Sequence, residues 1–141
     1  MFINVELEVN HKLLRGDVRL PEGTGPFPVV CFYHGFCVDR IGQMRLHELF
    51  ARKCAVNGIA CVKFDFYGCG ESDGDFSEMR YMDEVEQATA IYLWASEQPW
   101  CDRGQYVSRR AQHGRGHCLQ YYTAASAQGS RYVGSGKRGL L

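Results

Sequence analysis

Two stretches of the chain hold residues in spacings that chemistry uses. The first, Gly70-Glu71-Ser72-Asp73-Gly74, fits Gly-x-Ser-x-Gly, which presents a serine hydroxyl to an acyl group from a sharp strand-to-helix turn. Its surroundings argue for a plain turn. An elbow is followed by an apolar helix, whereas Asp75-Phe76-Ser77-Glu78 stays polar. Glu71 and Asp73 also set negative charge where an alkoxide would have to form. Ser72 is read as a decoy. The second stretch, His113-Gly114-Arg115-Gly116-His117-Cys118, has metal-ligand spacing. Zinc takes about four ligands on a fixed scaffold, and this glycine-rich segment offers too few. No metal and no cofactor are expected. A third feature is positional: the apolar run Pro28–Tyr33 stops at His34-Gly35, a strand-to-loop turn.

The elements that would hold these residues follow from periodicity. Ile3, Val5, Leu7 and Val9 alternate with polar residues, the period of a half-buried strand. A second strand is predicted from Leu14 to Leu20, and Pro28–Tyr33 reads as a strand buried on both faces. From Gln43 to Asn57 the pattern turns helical, with Leu46, Leu49, Phe50 and Cys54 on one stripe and Asn57-Gly58 as the stop. Ile59–Phe66 returns to strand, Tyr67–Asp75 is a Gly- and Asp-rich loop, and Met82–Gln98 is a second helix with Val85, Ala88, Tyr92 and Ala95 inward. Strand–helix alternation after a small antiparallel start predicts an α/β fold with parallel central strands. Another strand is due after Pro99. Instead a polar, Arg- and Gly-rich stretch begins at Arg103.

These residues resemble the first half of an α/β-hydrolase, in the branch of esterases, feruloyl esterases and serine-aminopeptidase-like enzymes. In that branch a buried strand ends in His-Gly-Phe, as Phe32-Tyr33-His34-Gly35-Phe36 does here. A helix and a strand later comes Asp-x-x-Gly-x-Gly-x-Ser, here Asp65 to Ser72, followed by Asp73-Gly74-Asp75-Phe76. Cys69 stands where the family usually has His. Gln98-Pro99-Trp100 and Asp102 match the link into the family's nucleophile strand. The likeness covers about residues 3–102. It implies the N-terminal part of an α/β-hydrolase sheet, antiparallel first and then parallel with flanking helices. It also implies that Phe36, on a loop with His34 and Gly35, offers its backbone N–H to an oxyanion hole. The full-length parent would be a serine hydrolase acting on small carboxylic esters, less readily on amides or peptides, through an acyl-enzyme. The triad's nucleophile, acid and His find no match in this chain, which is expected to be catalytically inactive.

Composition explains where the likeness stops. The 141 residues hold 16 basic and 16 acidic side chains. All 16 acids lie at or before Asp102, with nine bases, so residues 1–102 carry −7 and residues 103–141 carry +7. The 13% aromatic content excludes a wholly solvated coil, and no apolar run reaches the roughly 18 residues of a membrane span. Met1–Asn10 has no signal-peptide pattern, so a cytoplasmic location and no membrane partner are expected. Seven cysteines without a C-x-x-C pair predict reduced, mostly structural thiols.

The abrupt change predicts a frameshift near Arg103. Read one nucleotide later, Arg110 to Cys118 can encode Gly-His-Ser-Met-Gly-Gly-Ala-Ile-Ala, an elbow as this family writes it. Gly104 to Arg109 can encode Val-Ser-Met-Ser-Val-Val, a buried strand. Two regions are then expected: an incomplete hydrolase domain over 1–102, and an out-of-frame, disordered tail over 103–141. Without its neighbour, the Pro28–Tyr33 strand would form an exposed edge prone to self-association. The alternative takes the tail as genuine. Arg109-Arg110, Arg115, Arg131 and Lys137-Arg138, interleaved with Tyr106, Tyr121, Tyr122 and Tyr132, would make an RNA-binding arm on an acidic domain.

Overall fold

A computed structural model describes residues 1–110, the side chains of Val107, Arg109 and Arg110 excepted. Strands β1 (Phe2–Val9) and β2 (Lys12–Arg19) pair antiparallel from Phe2↔Arg19 to Val9↔Lys12. The turn between them is Asn10-His11, both at positive φ, which matches the twist of the flanking strands. Then follow β3 (Phe27–Tyr33), α1 (Leu46–Val56), β4 (Ala60–Phe64), α2 (Tyr81–Glu97) and β5 (Cys101–Arg110). The five strands form one sheet in the order β1-β2-β4-β3-β5. β2 meets β4 antiparallel, while β4, β3 and β5 run parallel. This is the antiparallel-then-parallel α/β sheet that the sequence predicts.

Strand alternation divides the core into two faces. Val18, Val29, Cys31, Tyr33, Val62 and Phe64 pack with Ala88, Ile91 and Ala95 of α2. On the other face Val30 and Cys61 pack with Ala51 and Cys54 of α1. The α1 stripe is not the one expected. Leu46, Leu49 and Phe50 are exposed, and His47, Glu48, Ala51 and Cys54 are turned inward. The physical reason lies beneath the helix, where buried Lys63 and partly buried Arg19 of the sheet both pair with Glu48, the carboxylate that α1 turns toward them. On α2, Ile91 is fully buried, while Val85 and Tyr92 are partly buried against the same core.

A second difference concerns the stretch after Asp102. The coil expected from Arg103, and the open β3 edge expected with it, are not found up to Arg110. Instead β5 pairs with β3 from Val29↔Tyr106 to Tyr33↔Arg110. Tyr106 is buried, its ring 4.1 Å from that of Tyr92, and its hydroxyl donates to the Tyr92 carbonyl. Such an aromatic pair adds about 0.5–1.5 kcal/mol beyond its buried area. The register shifts between Phe27 and Val29. Asp102 gathers the slack, its carboxylate accepting from Gly104 N at 2.9 Å and from Gln105 Nε2 at 3.1 Å. His113, His117, Cys118, the elbow codons and most of the RNA-arm residues lie outside the described residues. Among the described residues the cysteines are free, five buried and Cys37 exposed, and no helix is long and apolar enough to cross a membrane.

Candidate active site

Because β3 and β4 are parallel neighbours, the loops that follow them leave the same edge of the sheet. One carries His34, Gly35 and Phe36, and the other runs from Asp65 to Ser72. His34 joins them. Its ring is buried, Phe66 N donates to Nε2 at 3.0 Å, and Nδ1 lies 2.9 Å from Gly35 O. A backbone N–H can only donate, so Nε2 is the bare acceptor and Nδ1 carries the proton given to Gly35 O. That pairing holds the ring neutral and fixes the path of the chain into Phe36.

A carboxylate organises the second loop. Asp65, fully buried, accepts from Arg40 N at 2.7 Å and Glu71 N at 3.0 Å, and forms an ion pair with the Arg40 guanidinium. Arg40 also reaches Asp17 at 3.1 Å and Glu71 at 2.6 Å. Burial works against the Arg40 charge, but Glu71 and Asp65 outweigh it and raise the guanidinium pKa. The same contact holds the Glu71 carboxyl below its usual range. Gly70 turns at φ +53°, and a Cβ there would fall 2.2 Å from Asp65 Oδ2. The second glycine of the motif is thus required by its own aspartate. Arg40 gave no signal in the sequence, since its partners lie 23 to 31 residues away.

Ser72 serves this loop on both sides. Its hydroxyl donates to Asp65 O at 2.6 Å and accepts from Arg15 N at 2.8 Å. Phe36, by contrast, is exposed, its ring 5.4 Å from Phe76, and among the described residues nothing accepts from its N–H. Beyond it a cleft of about 390 Å³ is lined by Cys37, Val38, Asp39, Gly68, Cys69, Gly70 and Phe76. Burial, with nearby Glu84 and Asp65, pushes the Cys69 thiol up to about 11, so it stays protonated at neutral pH. No group of three or more ligating side chains is present among the described residues.

Comparison with known proteins matches the sequence to a family. The model for the X-Pro dipeptidyl-peptidase (S15) family fits residues 11–104, from β2 to the start of β5. The chain belongs to the S15 family. Its fold is the N-terminal part of an α/β-hydrolase. A curated relative from Escherichia coli, an uncharacterized 31.7 kDa protein of the traX-finO intergenic region, is 31% identical over 125 residues. That match covers 78% of this chain and 43% of the relative. Among solved structures, the α/β-hydrolase GrgF from Penicillium sp. sh18 superposes with a TM-score of 0.68 at 21% identity, over 78% of this chain and 37% of that one. Est1E from Butyrivibrio proteoclasticus, solved with ferulic acid, gives 0.68 at 17% identity, over 75% and 41%. The chain therefore spans less than half the length of each of these proteins.

Proposed function

We propose that the chain is the oxyanion-binding, N-terminal part of a serine hydrolase whose full-length form cleaves small carboxylic esters through an acyl-enzyme, and amides less readily. One observation carries this reading. Among the described residues nothing accepts from the Phe36 N–H, which directly precedes the cleft-lining Cys37 on a loop tied down through His34. A donor fixed before the reaction stabilises the charge of a tetrahedral intermediate without having to reorganise. Fold similarity to the Pyrococcus furiosus esterase Pf2001 supports an ester substrate, and the S15 description supports the amide alternative.

In this reading Ser72 is not the nucleophile. Its proton is committed to Asp65 O, and its oxygen already accepts from Arg15 N. The 141-residue chain then has no turnover. The test is release of p-nitrophenol from short-chain p-nitrophenyl esters by the purified chain and by Ser72→Ala. Both are expected at the buffer rate. Release above it that disappears in Ser72→Ala would overturn the reading.

A further inference from the structure

We propose that a second cleft, at the end of the sheet opposite the candidate active site, binds a small carboxylate with an apolar tail. This site stands apart from the hydrolase reading. The active-site loops leave the sheet after Tyr33 and Phe64, where β3 and β4 end. Arg19, the last residue of β2, lies opposite Cys61 near the start of β4, and so marks the other end. There Arg19 and Leu20 meet Arg52 and Val56 of α1 and Gly58 of the turn after it, around a cleft of about 610 Å³.

The polar wall of this cleft is short of acceptors. Arg19 and Arg52 both donate to the same oxygen of Glu48, Oε1, while Lys63 donates to Oε2 at 2.8 Å. One carboxylate therefore serves three cations, and of these only Lys63 has a second anion, Asp17. Arg19 Nε is buried and has no hydrogen-bond partner among the described residues. An unpaired buried donor is costly, and an incoming acceptor removes that cost. The Phe2 ring, with Arg19 Cζ 4.6 Å from its centroid, covers one face of the guanidinium. Arg52 is half-exposed, and its Nε is the one nitrogen with a partner among the described residues.

The rest of the lining selects the ligand. Leu20, Pro21 and Val56, the last 88% exposed, give an apolar wall suited to a hydrocarbon tail. The carbonyls at the end of α1 would repel an anion, but those of Lys53, Cys54 and Ala55 already accept from Asn57, Gly58 and Ile59. Glu22 also lines the cleft and opposes a dianion such as phosphate. A carboxylate carries a single charge, and its two oxygens match the planar fork of a guanidinium.

Sodium octanoate is the probe, titrated into the isotope-labelled 141-residue chain and followed by nuclear magnetic resonance. The amide signals of Leu20, Val56 and Gly58 and the Arg19 Nε–H are expected to move together, with a dissociation constant of about 0.1–1 mM. 1-Octanol and inorganic phosphate should leave them in place. Arg52→Ala should weaken octanoate about tenfold. Val56→Asp, which sets a negative charge in the apolar wall and leaves Glu48 its partners, should weaken it at least as much. Octanol moving the same signals would make the cleft a mere apolar hollow, and phosphate doing so a mere anion site; either overturns the proposal. So do spectra unmoved by octanoate up to about 10 mM, or shifts gathered around Cys37 and Phe76 instead. If Arg52→Ala fails to fold, Val56→Asp decides alone, and unchanged affinity in it overturns the proposal.

Discussion

The two faces of the sheet differ: one is mainly apolar, while the other adds a buried ionic network to the small apolar cluster of Val30, Cys61, Ala51 and Cys54. Toward α2 the contacts are apolar: Val62 and Phe64 meet Ile91, Ala88 and Ala95, and the Phe64 and Trp94 rings meet edge-on at 5.5 Å. Toward α1 the same strand offers Lys63, only 1% exposed, which lies 2.8 Å from Glu48 and 3.2 Å from Asp17. Arg19 and Arg52 share Glu48, and Arg40 shares Asp17 with Lys63. An apolar face tolerates small shifts because its attraction has no direction. A buried ionic face does not, since each charge left alone costs several kcal/mol. The ionic face reaches the site through Arg40 and Asp65, so the less forgiving side is the one that shapes the cleft.

If that contrast is right, Lys63→Ala has the largest effect. It takes from Glu48 and Asp17 the buried cation they share, leaving Glu48 to Arg19 and Arg52 and Asp17 to Arg40, and lowers unfolding free energy by about 3–5 kcal/mol in urea titration. Ile91→Ala, on the apolar face, removes buried methylenes and costs about 2–4 kcal/mol. Equal or reversed losses would abolish the distinction. A smaller effect follows from pH. Burial alone would raise the Glu48 carboxyl, but Lys63 and Arg52 outweigh it and hold it at about 2, against 4.5 for an ordinary glutamate. A carboxylate with a depressed folded pKa stabilises above its unfolded value. That stability should drain away as pH falls from about 4.5 toward 2, and Glu48→Gln should flatten that part of the curve. An unchanged acid limb in Glu48→Gln would show that the ionic face is not held by this group.

The apolar face was legible in the sequence and the ionic face was not. Val29, Cys31 and Tyr33, with Val62 and Phe64, announce themselves by period and composition. Lys63 sits in an apolar run and looks like an interruption, because its partners come from β2 and α1. The α1 stripe differs from expectation for the same reason: hydrophobicity predicts Leu46, Leu49 and Phe50 inward, and two cations of the sheet, Arg19 and Lys63, select Glu48 instead. At the site, His34-Gly35-Phe36 and Asp65–Ser72 were visible as motifs. Arg40, which clamps them, was not.

Local order along the chain settled the strands and helices, the order in which they come, and the break in composition after Asp102, since each depends on neighbours a few residues apart. Which strands would lie side by side, that β5 would continue to Arg110, and that Arg40 would meet Asp65 and Asp17 depended on pairing and charge across tens of residues. A one-dimensional pattern records the face a residue prefers. The partner it finds there is chosen only when the sheet closes and buries both.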